Sequence, residues 1–227
     1  MKLARICIVP LLCIPLLSLA APGPERTVAT LELAGKTPST AVVVRQRLGD
    51  GGLKLRLVIT PKGDPKKQRS VTLYEGGADD DGPTDKSFRA ASGAVFPLPG
   101  GRRGVRVDFE FQVPGSRKFR QIDTYLVAID EPAKLSLEVT TRRERKRSKV
   151  CQDVEVTELV LDKDRLVARP ISTLESELND DDLPIDKSCH GKQTGPQVTY
   201  KFDGDVFVQV DPPPAPKKPK PSEDESD

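Results

Sequence analysis

The chain has no tryptophan and a single histidine, and aromatic residues make up only 4% of it. Membrane β-barrels carry aromatic girdles at both interfaces, so this scarcity argues against one, as does a charged, proline-rich end where a membrane strand would stand. General-base chemistry by histidine could use only His190, an expected loop residue beside Cys189. One histidine cannot complete a usual zinc set, and neither Cys151 nor Cys189 lies in a C-x-x-C pair. The G-x-S-x-G elbow, the phosphate-cradling G-x-x-x-x-G-K-S/T and a dinucleotide fingerprint are also missing. Helix signals are scarce. The one candidate spans 172–178, where Ser172 and Glu175 resemble a capping box and Leu174 and Leu178 share a face.

A charge excess is missing too. The first twenty residues read as an export signal. Lys2 and Arg5 form a positive start, 6–17 is apolar but broken by Pro10 and Pro15, and Ser18-Leu19-Ala20 offers small residues for cleavage after Ala20. No small residue precedes Cys7 or Cys13, which argues against lipid anchoring, and no second run reaches spanning length. The chain has 36 Lys and Arg against 34 Asp and Glu; removing Lys2 and Arg5 leaves 34 of each. A dedicated nucleic-acid binder carries a basic excess, so none is expected here, and polyanion binding could only be local. The exported protein is expected to be periplasmic or secreted, with no transmembrane segment after signal cleavage.

What is present is period-two alternation. Val105, Val107, Phe109, Phe111 and Val113 alternate with charged and polar residues, as do Leu53, Leu55, Leu57 and Ile59, and Leu135, Leu137 and Val139. Val42 and Val44, then Gly49-Asp50-Gly51-Gly52, then Leu53 predict a hairpin. Further strands are predicted over 28–34, 70–75, 119–129, 154–161, 165–169 and 197–210, the last broken at Asp203-Gly204. The fold class is all-β, an antiparallel β-sandwich-like architecture. From Asp211 the chain carries six prolines and a closing acidic run, and 212–227 reads as a disordered tail or spacer.

DDDGPTDKS at 79–87 and DDDLPIDKS at 180–188 share seven of nine positions at an offset of 101. In the same register 53–59 falls on 154–160, and at a slightly shorter offset FQV at 111–113 resembles VQV at 208–210. These matches suggest two related β repeats, 27–129 and 130–211 after a 21–26 linker, either as tandem domains or as halves of one sandwich. Cys189 in the second copy stands where the first has Phe88. A Cys151–Cys189 disulfide is expected to staple the smaller core of the second copy.

Three sites and one partner follow as expectations. Asp79, Asp81 and Asp85, and Asp180, Asp182 and Asp186, could offer oxygen ligands to calcium, although the spacing is not that of an EF-hand and solvated turns explain it as well. Arg142, Arg143, Arg145, Lys146, Arg147 and Lys149 form a basic run that reads either as a polyanion site or as the solvated part of a hairpin or an edge strand, with 180–186 as a possible counter-charge. The function expected is a non-catalytic binding or structural module at the cell envelope, with an envelope or extracellular protein partner. The alternatives are a calcium-dependent adhesion or matrix module and an exported carboxylate hydrolase. No cofactor is expected apart from that possible calcium.

Overall fold

In the computed structural model, which describes residues 21–35, 38–77, 82–112, 120–130, 132–176 and 184–210, the glycine turn closes the expected hairpin. It joins strand β2 (Ser39–Arg47) to β3 (Leu53–Pro61). Asp50 Oδ1 accepts a 2.8 Å hydrogen bond from Gly52 N, and a Cβ at Gly52 would stand 2.2 Å from the Gly76 carbonyl oxygen. That close approach demands glycine. Leu53, Leu55, Leu57 and Ile59 are all fully buried, while Lys54 and Arg56 between them are half-exposed, as the alternation requires. β1 (Arg26–Leu33) and β4 (Arg69–Gly76) flank the hairpin to complete a four-stranded antiparallel sheet in the order β1-β2-β3-β4.

The second sheet starts with β5 (Phe88–Pro97), β6 (Arg103–Gln112), β7 (Arg120–Ala128) and β8 (Lys134–Lys146). It continues through β9 (Cys151–Asp162), β10 (Arg165–Ser176), β12 (Val198–Asp203) and β13 (Val206–Val210), with the short β11 (Gly191–Thr194) also on β10. β7 and β8, on either side of residues 129 and 130, are paired neighbours in this sheet.

The larger core lies between the four-stranded sheet and β5–β8. Phe109 is its aromatic centre, with ring centroids 5.3 Å from Phe88 and 5.5 Å from Phe111. A smaller core gathers Leu98, Leu126, Ala128, Leu137, Leu166 and Phe207, with Tyr200 and Phe202 against it. β12 and β13 are laid over this second face. Ser136 Oγ donates to the Asp205 carbonyl at 2.7 Å, and Arg102 bonds the Gly204 carbonyl and the Asp205 carboxylate. β7 is therefore covered on both faces. Tyr125 and Val127 enter the larger core, whereas Leu126 and Ala128 enter the smaller one. The uninterrupted apolar run from Tyr125 to Ile129 is the sequence form of such a strand.

Two expectations are corrected. The stretch 172–178 is not a helix. Up to Ser176 it is the end of β10, and residues 177 and 178 lie outside the described residues. Ser172, Thr173 and Leu174 pair with β9 on one side and β11 on the other, which satisfies backbone groups that a two-turn helix would leave open. From Arg142 to Glu144 the basic run is not an edge strand either, because β8 is paired there with both β7 and β9, while Arg145 and Lys146 pair with β9. β5 was not predicted; its sequence FRAASGAVFP mixes small and polar residues without a regular period.

The two DKS segments dock at comparable corners. Asp85 N donates to the Gly51 carbonyl in the turn before β3, at 3.4 Å, and Cys189 is bonded to Cys151 at the start of β9. The strand pairing differs, however. Leu57 pairs with Val71, but Glu158, its counterpart at the offset of 101, pairs with Arg169 rather than Ser172.

Candidate functional site

The basic run occupies the end of β8 and the turn into β9. The turn is closed by Arg147 N and Ser148 N donating to the Cys151 carbonyl at 2.9 and 3.2 Å, and by Cys151 N donating to Ser148 Oγ at 3.0 Å. The Cys151–Cys189 disulfide, with Cα atoms 5.9 Å apart, ties this tip to the 184–190 segment. Cys189 is buried although its neighbours are exposed.

Strand register sorts the charges. Arg143 lies opposite Glu155, and Arg145 lies opposite Asp153. Arg147 Nε donates to Asp153 Oδ2 at 2.5 Å. Arg143, Arg145 and Arg147 share a shallow groove of about 350 Å³ with Asp153, Glu155 and Ser172. Arg142 Nε donates to Glu144 Oε1 at 2.6 Å, and Lys146 lies opposite Gln152. Lys149 is exposed in the turn. The six basic residues thus stay in water, as the cost of burying unpaired charge requires, and three acids of β8 and β9 stand among them.

The acidic loops contribute two described residues. Asp79 and Asp81, and Asp180 and Asp182, lie outside the described residues. Asp85 Oδ1 accepts from Arg45 Nε at 2.9 Å and Nη2 at 2.5 Å, and the Asp85 carbonyl accepts from Nη2 at 2.9 Å. Asp186 Oδ1 accepts from Ser188 Oγ at 2.6 Å and Ser188 N at 2.9 Å. The Ser188 hydroxyl and amide hold the Asp186 carboxyl below the usual range. The counter-charge for Arg147 comes from Asp153 on the neighbouring strand. Among the described residues no three His, Cys, Asp or Glu side chains converge as a metal set. Exposed His190 places Nδ1 2.6 Å from the Lys187 carbonyl.

Sequence reasoning named no carboxylate pair. Asp123 and Glu138 come close on β7 and β8, where Tyr125 lies opposite Glu138 and Asp123 opposite Thr140. Asp123 Oδ1 accepts from Gln121 Nε2 and Thr140 Oγ1, both at 2.8 Å. Desolvation first, then the Asp123 charge, raises Glu138 above the usual carboxyl range. Burial, then the charges of Glu138 and Asp123, pushes the Tyr125 hydroxyl up.

Also missed was the setting of Arg45, whose guanidinium carbon sits 4.4 Å above the Phe88 ring centroid. A signal for it was present, because period two puts Arg45 on the inward face with Ala41 and Val43. No protein-family model matches the chain, and no curated protein or solved structure matches it.

Proposed function

We propose that the chain is an exported, non-catalytic binding module of the cell envelope, and that the charged face of β8, β9 and β10 is where a protein partner docks. The observation that carries this reading is the register of Arg143, Arg145 and Arg147 against Glu155 and Asp153. Charges of both signs are held there in fixed order on a ribbon stapled at its tip. Such a pattern selects a partner of complementary charge order and speeds its encounter. A polyanion would be attracted by an uncompensated basic stripe, which the two acids weaken. The arginines belong to neither hydrophobic core, so packing gives no reason for them.

The test is photo-crosslinking from position 145 in the full-length protein inside the exporting cell, with position 95 on β5 as control. Val95 is 61% exposed and lines none of this groove. A discrete adduct from position 145 that is absent from position 95 is the expected outcome. Recovery of uncrosslinked protein alone from both positions refutes the reading.

A further inference from the structure

A second arginine cluster lies at the open end of the larger sandwich. Arg26 on β1 is the direct cross-strand partner of Arg45 on β2, and Arg47 follows two residues on, so all three rise from one face. They line a pocket of about 220 Å³ together with Gly23, Pro24 and Asp85. The pocket shares no residue with the β8–β9–β10 groove.

Like charges directly opposite one another destabilise a strand pair, and the Arg26–Arg45 pair has that form. Among the described residues the one carboxylate lining the pocket, Asp85, is already bonded through both Nε and Nη2 of Arg45. That clamp and the stack on Phe88 fix Arg45 in place. Arg26 and Arg47 remain exposed. Among the described residues, three guanidinium groups and one carboxylate leave an excess of two positive charges. The volume is below the roughly 300–1,000 Å³ of ordinary small-molecule sites, so it suits one anionic group rather than a whole apolar ligand. Guanidinium forks match the oxygens of phosphate and carboxylate, and a phosphate monoester carries about −1.5 to −2 charges at neutral pH, which meets the excess.

We propose that Arg26, Arg45 and Arg47 form a binding pocket for a single phosphate group, presented as a phosphate monoester. Arg45, held by Asp85 and Phe88, is the fixed wall of the pocket, and Arg26 and Arg47 close on the anion from either side. The bound anion would relieve the repulsion between Arg26 and Arg45.

The experiment is calorimetric titration of the full exported chain with inorganic phosphate, glucose 6-phosphate, succinate, and vesicles of phosphatidylcholine with or without phosphatidic acid. Saturable binding of phosphate or the sugar phosphate supports a soluble ligand. Binding only to the phosphatidic acid vesicles supports a lipid headgroup as the source. In either case the R26A/R47A variant should lose at least about tenfold in affinity, as expected for two lost hydrogen bonds to a charged group. Its urea midpoint should not fall and should rise slightly, because both side chains are exposed and the Arg26–Arg45 repulsion is removed. R143A/R145A should bind as well as the parent. Equal affinity in R26A/R47A overturns the proposal, as does no binding in any arm, or succinate binding as tightly as phosphate.

Discussion

Replacing both bonded cysteines, in C151A/C189A, should weaken the fold by an amount that follows from the length of chain they enclose. The two residues are 38 apart in sequence, and the loop between them contains the whole β9–β10 hairpin. Opening a loop of that length frees the unfolded chain by about 4 kcal/mol in the chain-entropy model. A domain of this kind holds roughly 5–15 kcal/mol in all, so the loss is a large share of the total. The bond lies at the β8–β9 tip, and neither cysteine belongs to either core cluster, so little packing there can offset the loss. Urea denaturation followed by far-ultraviolet circular dichroism reads the change. With a slope of about 2 kcal/mol/M the midpoint should fall by about 2 M, and the slope itself should rise as the unfolded chain expands. With no tryptophan in the chain, tyrosine fluorescence supplies a second probe, from Tyr125 in the larger core and Tyr200 beside the smaller. A loss below about 1 kcal/mol would refute the chain-entropy argument for this staple.

Two further outcomes are expected. Glu138 favours its protonated form in the fold, so its share of stability is present below the unfolded carboxyl range and is lost as pH rises through its raised folded pKa. E138Q should therefore gain on the parent in urea midpoint between about pH 4 and about pH 7, and a constant difference would refute the assignment. L126A, at a fully buried site on β7, should cost about 2–5 kcal/mol. V95A, at an exposed site, should stay within about 0.5 kcal/mol in the same urea series, and equal losses would contradict the burial on which the second core rests.

The strands β3 and β6 were legible because one face is apolar and the other polar or charged, which period two exposes directly, and β2 through the glycine turn that joins it to β3. The disulfide was legible because two of the four cysteines, Cys7 and Cys13, fall in the expected export signal, which leaves one pair. β5 was hidden, since its small residues gain strand character only from pairing with β6 across Ala91–Phe109 and Val95–Val105. The end of β10 was misread because the Ser172–Glu175 spacing fits a helix cap locally, while β9 and β11 decide its conformation from a distance. Of the candidate site, the basic run was visible as composition. The acids set among it, Asp153 and Glu155, became its partners only through the β8–β9 register. The Arg26–Arg45 pair was not readable at all, since it depends on which residues of β1 and β2 face one another.

The double covering of β7 has a consequence for how the chain finds its alignment. In a sheet with one wet face, a slip of one residue turns apolar side chains into water and is rejected at once. Along residues 125–128 such a slip would exchange one apolar set for another, so hydrophobicity alone barely distinguishes the two alignments. Discrimination then falls to size and to polarity at the other end of the strand. Tyr125 and Val127 would have to fit where Leu126 and Ala128 belong. Asp123 would leave Thr140, and Thr124 would leave Asp108 and Thr141, to which it is hydrogen-bonded at 2.6 and 2.8 Å. The buried polar residues of β7 act as the key that sets its register, and their replacement by apolar side chains of similar size would yield a strand free to settle in two alignments.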